Sequence, residues 1–390
     1  MKAEPFTIAI PEEALEDLRT RLRQTRWATD FGNDDWRYGA NEEYLREFVD
    51  YWLNNYDWRE QEQKMNSFAN FKTEIDGVPV HFIHEKGKGP NPTPLILTHG
   101  WPWTFWDLNE VIRPLTDPAS FGGDPDDAFD VIVPSLPGFG FSTPLRKTGV
   151  QPIQTADLWV KLMRDVLGYD RFGAQGGDWG AFVTAQLGHK YPEHLIGIHM
   201  TLPWLLGEGG FMPASADDYG PGEEGWFEQM NTRMQSAASH VAVHSNDPQT
   251  LAYAMNDSPV GLAAWLIERR RNWSDCDGDI EKSFTKEHLI NTVMIYWLTE
   301  SFSTTVRYYW ENARAPWTAS HDRKPTIETP TAIAVFPREL ILVPRKLAEE
   351  RTNLQRWTLM PSGGHFAPAE EPQLVVEDLR AFFRTLTSAQ

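Results

Sequence analysis

Residues 173–180 read "GAQGGDWG", and this stretch decides how the chain is organised. An apolar run typical of a strand precedes it, and a helical pattern over about 180–190 follows it. Gly176 and Gly180 flank Asp178 two residues away on either side, which permits a sharp turn with close backbone neighbours. The pattern predicts a carboxylate at the tip of a strand–turn–helix motif. In isolation, an ordinary glycine-rich turn with Asp178 as a helix N-cap would show the same residues.

The surrounding segments alternate between strand and helix patterns. Short apolar runs at 93–100, 129–142 and 195–200 are typical of strands buried on both faces. An alternating pattern over 71–84, interrupted by Gly77, predicts a hairpin before them. Strands alternating with helices indicate an α/β fold with an open, mostly parallel sheet.

Helical patterns dominate two further parts of the chain. Amphipathic helices are predicted at 11–27 and 41–54, and helical spacing returns over about 226–314. The stretch 207–225 is rich in glycine, proline and acidic residues and is predicted to be a mobile start of an insertion. We therefore predict four segments: a helical N-terminal segment at 1–70, the first part of an α/β core at 71–206, an inserted helical cap at 207–322, and the second part of the core at 323–390.

Composition limits the classes of function. With 55 acidic and 36 basic side chains, the formal charge of −19 argues against an extended nucleic-acid interface. The charged run "ERRR" at 268–271 is predicted to lie on a solvated face of a cap helix. A single cysteine and the lack of a long apolar run favour a cytoplasmic protein without a membrane anchor. The 17 tryptophans suit an aromatic-lined pocket for an apolar ligand.

Candidate catalytic groups follow predicted strands. In α/β sheets ligands bind beyond the carboxyl ends of the strands, where this chain has "HGWP" (99–102), Asp178, "FPRE" (336–339) and "GGHFAP" (363–368). A carboxylate is ionised at neutral pH and needs no base to attack. At a saturated carbon its attack gives an alkyl ester that water can cleave, which points to epoxides or alkyl halides.

The second half of such a reaction needs a base and an oxyanion site. His365 is predicted to deprotonate water and Glu339 to orient its ring, in the chain order nucleophile, acid, histidine. The backbone N–H groups of Trp101 and Trp179 are predicted to hold the oxyanion. A histidine that merely packs in a glycine-rich turn is the alternative for His365. Rival acids for the role of Glu339 are Asp322, Glu328, Glu349 and Glu350.

At these residues the chain resembles the microsomal-type epoxide hydrolases of the α/β-hydrolase superfamily. The resemblance covers nearly the whole chain and rests on these ordered motifs: "PFTIAIPEEALEDLRTRLRQTRW", "HGWP", "PSLPGFGFS", "QGGDWG", "NDSPVGLAAW", "MIYWLTESF", "RYYWEN", "FPRE" and "GGHFAPAEEP". It implies conversion of an epoxide to a vicinal diol, with Asp178 as nucleophile, Glu339 as acid and His365 as base. It also implies a small apolar, aromatic or bulky epoxide and water as substrates, with no metal or organic cofactor; a homodimer is a possible assembly.

The same resemblance implies that cap tyrosines hold and protonate the epoxide oxygen. The motif "RYYWEN" aligns the family's tyrosine with Tyr309, and its neighbour Tyr308 points about 100° away on a helix. The position of a second family tyrosine is occupied here by His240, which is either a second donor or a histidine of the cap surface. His240, Tyr308 and Trp103 are the predicted substrate-binding residues.

Two alternatives remain open from the sequence. A haloalkane dehalogenase would use the same Asp178–Trp179 pair, and a ligand carrier could keep the fold without catalysis. A metal enzyme fits poorly, because His81 and His84 lie three residues apart on a predicted strand and face opposite sides. His99 in "HGWP" is predicted to hold the loop and not to act as a base.

Overall fold

The computed structural model describes residues 2–207 and 215–387. Residues 208–214, inside the predicted mobile stretch, lie outside the described residues. The predicted α/β class is confirmed by a nine-stranded, mostly parallel sheet of order β1-β2-β3-β5-β4-β6-β7-β8-β9. Its strands are β1 Glu4–Pro5, β2 Asn70–Ile75, β3 Val78–Glu85, β4 Thr93–Thr98, β5 Phe129–Pro134, β6 Phe172–Gly176, β7 Leu195–Met200, β8 Ile327–Val335 and β9 Thr352–Leu359.

The sheet is antiparallel at one end and parallel over the rest. Strands β1, β2 and β3 pair antiparallel, with Gly77 in the turn of the predicted β2–β3 hairpin, and β3 also pairs antiparallel with β5. From β5 to β9 every neighbouring pair is parallel. The carboxyl ends of β4, β6, β8 and β9 therefore meet at one edge, which brings the four predicted strand-end motifs together.

The first two helices form where the spacing of apolar residues predicts them. The predicted N-terminal helix buries Leu15, Leu18 and Leu22 on one face, and Asn41 caps the second helix by accepting a hydrogen bond from the Tyr44 N–H. None of the helices in the described part of the chain is long and apolar enough to cross a membrane. The helices are α1 Glu12–Arg23, α2 Glu42–Asn54, α3 Trp58–Asn66, α4 Asn109–Thr116, α5 Pro152–Lys161, α6 Trp179–Lys190, α7 Trp226–Ala237, α8 Ser239–Asn246, α9 Pro248–Asp257, α10 Pro259–Trp273, α11 Lys286–Leu298, α12 Phe302–Arg314, α13 Arg345–Arg351, α14 Ala367–Glu370 and α15 Pro372–Thr387.

Among the described residues, helices α7 to α12 lie between β7 and β8, where the sequence predicts the cap. Helices α8 and α12 share a cavity with residues that follow β6 and β9. Helices α10 and α11 bury residues on several faces, because they pack against each other, α10 packs against α9, and both contact the N-terminal helix α2. The cap therefore covers the carboxyl edge of the sheet.

Candidate active site

Asp178 occupies a strained turn between β6 and α6. Its backbone has φ 51° and ψ −126°, a conformation that costs energy for any residue with a side chain. The turn is tight, because a Cβ at Gly176 would lie 2.1 Å from the Gly180 carbonyl oxygen, and a Cβ at Gly180 would lie 1.9 Å from that of Thr98. Only glycine fits at both flanks, so the motif is the elbow that its sequence predicts and not an ordinary N-cap turn.

His365 lies between two carboxylates. Its Nδ1 is 2.7 Å from Glu339 Oε1, and its Nε2 is 3.2 Å from Asp178 Oδ2. The Leu340 N–H also donates to Glu339 Oε1, so this oxygen accepts and His365 Nδ1 carries the donated hydrogen. Glu339 follows β8 and is 1% exposed, whereas the rival Glu349 pairs with Arg345 at the surface.

The two carboxylates govern the charge of His365. Burial alone would lower the pKa of the imidazole, but the negative charges of Glu339 and Asp178 and their hydrogen bonds raise it to about 10. At neutral pH the free site therefore holds an imidazolium between two carboxylates. Loss of the negative charge on Asp178 would therefore lower the pKa of His365.

One predicted oxyanion donor contacts the Asp178 carboxylate directly. The backbone N–H of Trp101 donates to Asp178 Oδ1 at 2.7 Å. His99 stabilises this loop, as its sequence context predicts: Nδ1 donates to the Gly100 carbonyl at 2.9 Å and Nε2 accepts from the Leu136 N–H at 3.0 Å. The second predicted donor, the N–H of Trp179, belongs to the first residue of α6, directly after Asp178.

A cavity of about 300 Å³ opens above Asp178 and His365. Tyr309 of α12 and His240 of α8 face it from the cap. Most of the remaining lining is apolar: Trp179, Leu202, Trp204, Met234, Val241, Trp273, Ala313, Leu340 and Ile341. The cavity can therefore enclose a small apolar molecule next to the charged groups Asp178 and His365.

Neighbouring tyrosines of α12 have different surroundings. Tyr309 lines the cavity, and burial together with the charge of Asp178 raises the pKa of its phenol well above the ordinary value, so it remains protonated. The Tyr308 hydroxyl hydrogen-bonds to Thr155 Oγ1 at 2.7 Å instead. Trp103 is buried, with the centre of its ring 5.7 Å from that of His365. Tyr308 and Trp103 thus lie outside the cavity lining, contrary to the expectation that they contact the substrate, because helix geometry and core packing direct them elsewhere.

His240 is a buried histidine and not one of the cap surface. Its Nδ1 donates to the Ala237 carbonyl at 2.9 Å, which leaves Nε2 as an acceptor in the neutral ring. Burial, reinforced by the positive charge of Arg269, lowers the pKa of His240 to about 3. The ring stacks on Trp101 at 5.0 Å and meets Tyr309 edge-on at 5.4 Å. His240 is therefore neutral at physiological pH.

Contacts between the cap and the His365 loop were not predicted from the sequence. The His365 N–H donates to the Trp273 carbonyl at 3.0 Å, and the Gly363 N–H donates to Asp275 Oδ2 at 3.0 Å. The Glu370 carboxylate bridges the backbone N–H groups of Phe366 and Asp275. The contacts to Trp273 and Asp275 join residues that lie 88 to 95 positions apart, so no local sequence pattern predicts them.

The prediction for the charged run 268–271 is wrong for two of its arginines. Arg269 and Arg270 are 5% and 1% exposed. Arg269 stacks on Trp265, and Arg270 forms an ion pair with Asp107 of the core. A buried arginine is stable where an acid and carbonyl groups satisfy it. Arg270 finds these partners in Asp107 and the Pro102 carbonyl, far away in the chain, whereas Arg269 binds its neighbours, the Glu268 carboxylate and the Trp265 carbonyl.

The fold and site define a capped α/β hydrolase with a carboxylate at the elbow. Two family models match the chain, the epoxide hydrolase N terminus over residues 3–108 and the alpha/beta hydrolase fold over residues 93–276. The chain is 39% identical to a putative epoxide hydrolase of Stigmatella aurantiaca, over 98% of this chain and 85% of that protein. It is 35% identical to epoxide hydrolase 1 of Oryctolagus cuniculus, over 97% of this chain and 88% of that protein.

Solved structures agree with the sequence relatives. The Aspergillus niger epoxide hydrolase superposes with a TM-score of 0.85 at 30% identity, covering 99% of this chain and 97% of that chain. The juvenile hormone epoxide hydrolase of Bombyx mori superposes with a TM-score of 0.86 at 26% identity, over 99% and 95% of the two chains. The chain belongs to the epoxide hydrolase family.

Proposed function

We propose that this protein hydrolyses an epoxide to a vicinal diol through an ester on Asp178. The observation that carries the proposal is one arrangement: a strained carboxylate, a histidine–glutamate pair 3.2 Å behind it, and a buried phenol facing the same cavity. A carboxylate nucleophile suits substitution at saturated carbon, and a protonated phenol suits an alkoxide leaving group.

In the first step Asp178 Oδ2 attacks one ring carbon of the epoxide, and the carbon–oxygen bond of the strained ring breaks. Tyr309 donates its phenolic proton to the released oxygen and becomes a phenolate. Because the pKa of the Tyr309 phenol is raised, this phenolate takes a proton back readily. Neutral His240 has no proton on Nε2 to offer, so we assign the acid role to Tyr309 alone.

Formation of the ester changes His365. The Asp178 negative charge disappears, so the pKa of the imidazolium falls, and its proton returns through solvent to the Tyr309 phenolate. Neutral His365 then takes a proton from a water molecule that attacks the ester carbonyl. The Trp101 N–H stabilises the oxyanion on Oδ1, with the Trp179 N–H as the predicted second donor. When the tetrahedral intermediate collapses, the diol oxygen leaves Asp178 and takes a proton from the imidazolium, and the proton of the newly formed Asp178 carboxyl group passes to His365. These transfers release the diol and restore the Asp178 carboxylate and the imidazolium.

The cavity supports a substrate class as well as a reaction. A volume of about 300 Å³ with a mostly apolar and aromatic lining suits a small apolar or aromatic epoxide, such as styrene oxide. The alternative of haloalkane dehalogenation lacks a role for the Tyr309 proton, because a halide leaves without an acid. Halide release from a chloroalkane, with no diol from styrene oxide, would reverse this choice.

The ester is tested by isotope transfer with styrene oxide in water enriched in oxygen-18. In a single turnover with excess enzyme, the new diol oxygen is expected to be unlabelled, because it comes from Asp178. After many turnovers, mass spectrometry of the peptide that contains Asp178 is expected to find the label in its carboxylate. Label entering the diol on the first turnover would contradict the ester mechanism. Asp178→Asn is expected to abolish turnover, and activity unchanged by it would refute Asp178 as the nucleophile.

A further inference from the structure

Arg270 of α10 reaches from the cap into the loop that carries the oxyanion donor. Its Nη1 lies 2.6 Å from Asp107 Oδ1, and its Nη2 donates to the Pro102 carbonyl at 3.1 Å. Pro102 directly follows Trp101, whose N–H donates to Asp178. A single buried guanidinium thus binds the backbone one residue away from the donor.

Asp107 fixes the other end of the same loop. Its Oδ2 accepts from the Thr104 N–H at 2.7 Å, and its Oδ1 lies 3.3 Å from His288 Nε2. Burial alone would raise the pKa of Asp107, but the charges of Arg270 and His288 hold it well below the ordinary value. The Arg270–Asp107 pair therefore holds the backbone at both ends of residues 102–104, the segment that directly follows Trp101: Arg270 binds the Pro102 carbonyl and Asp107 binds the Thr104 N–H.

The same guanidinium also contacts the loop of the base. Its central carbon lies 4.1 Å from the centre of the Phe366 ring, and Phe366 follows His365. A planar guanidinium can bind a carboxylate and a carbonyl with different nitrogens and stack on a ring at once. A lysine ammonium is a point charge and cannot span these three contacts.

We propose that Arg270 is a positioning residue that holds the Trp101 N–H in place for the second half of the reaction. The proposal rests on the ester mechanism above. During ester formation, negative charge leaves Asp178 Oδ1, so a misplaced donor does not hinder that step. During ester hydrolysis, a full negative charge returns to Oδ1 in the tetrahedral intermediate, so a misplaced donor slows that step.

The test compares the two steps in Arg270→Lys, which keeps a positive charge opposite Asp107 but loses the second nitrogen. Single-turnover tryptophan fluorescence, with acid-quenched samples analysed for the modified Asp178 peptide, separates ester formation from ester hydrolysis. Loss of one oxyanion donor costs about 10²–10³-fold, so a displaced donor is expected to slow hydrolysis by roughly 10–100-fold. Ester formation is expected to change by less than ~threefold, so that the ester accumulates. Arg271→Lys, a neighbouring arginine bound to the Gly278 carbonyl, is the matched control with both rates unchanged.

Three outcomes decide the proposal. Equal slowing of both steps, or no slowing of either, would overturn the role of Arg270 while leaving the ester mechanism intact. If the wild-type protein turns over styrene oxide without an ester on Asp178, the proposed function itself fails. If circular dichroism shows that Arg270→Lys does not fold, Asp107→Asn replaces it as the test variant, because it removes the negative charge that pairs with Arg270 and keeps an oxygen to accept from the Thr104 N–H. Asp107→Asn is expected to slow ester hydrolysis and not ester formation. Equal effects on both steps would overturn the proposal.

Discussion

Replacement of Glu339 by glutamine isolates the contribution of one charge to the base. The Glu339 oxygen that accepts from His365 Nδ1 also accepts from the Leu340 N–H. Because both partners donate, the amide oxygen of glutamine is expected to occupy the same position and to preserve the ring orientation and tautomer. The variant therefore removes the negative charge and leaves the geometry.

The magnitude follows from the distance of 2.7 Å between Glu339 Oε1 and His365 Nδ1. At an effective dielectric constant of about 20, two unit charges at that separation interact by about 6 kcal/mol. If about half of the charge has developed on His365 when water attacks the ester, the barrier rises by about 3 kcal/mol and hydrolysis slows by roughly 10²-fold. Ester formation is expected to change by less than ~threefold, because Glu339 contributes to the base and not to the leaving-group acid.

Stopped-flow fluorescence in a single turnover measures both rates, and rapid quenching with peptide mass analysis identifies the ester on Asp178. Glu349→Gln, which alters a surface pair with Arg345, is the matched control and is expected to leave both rates unchanged. Hydrolysis within ~threefold of the wild-type rate in Glu339→Gln, with no accumulated ester, would refute the assignment of Glu339. A fall of equal size in ester formation would show instead that the substitution disrupts the whole site.

Three further predictions concern neighbouring groups. Tyr309→Phe is expected to slow ester formation by about 10²–10⁴-fold. Tyr308→Phe is expected to keep the wild-type rate, because the Tyr308 hydroxyl binds Thr155 outside the cavity. Equal effects of the two substitutions in stopped flow would contradict the separation of the two roles. His240→Gln is expected to slow ester formation by less than ~tenfold, and a loss as large as that of Tyr309→Phe would identify His240 as a second donor. Burial raises the pKa of Glu370 from 4.5 to about 7, so the contribution of Glu370 to the free energy of unfolding falls as pH rises through pH 4.5–7, by at most about 3.5 kcal/mol at ~1.4 kcal/mol per pKa unit. Urea unfolding at pH 5 and pH 8 is expected to show a smaller decline in Glu370→Gln, and identical declines would disprove this linkage.

Local patterns were sufficient for the fold class and for the elbow. Alternation of strand and helix, and glycines two residues on either side of Asp178, depend on neighbours in the chain, and both predictions agree with the sheet order and the backbone angles. The hairpin at Gly77 and the buried face of α1 were predictable for the same reason. Each rests on side-chain periodicity and turn geometry within a few residues.

The hydrogen-bond and ion-pair partners of buried polar side chains were not predictable from the sequence. Arg270 and Asp107 are 163 residues apart, and only the packing of the cap on the core brings them together. An arginine-rich run normally faces water, because burial of a charge without a partner is costly. The partner, and not the run itself, decides whether such an arginine is buried.

The sequence by itself determined that a carboxylate, an acid and a histidine follow three parallel strands in the order Asp178, Glu339, His365. Only the tertiary structure decided that Tyr308 of α12 turns away from the cavity to bind Thr155, and that His240 is buried against Trp101. The physical reason is one of range: periodicity and turn chemistry act over a few residues, whereas the direction of a buried side chain depends on distant groups such as Thr155, which lies 153 residues from Tyr308 and meets it only when the cap packs on the core.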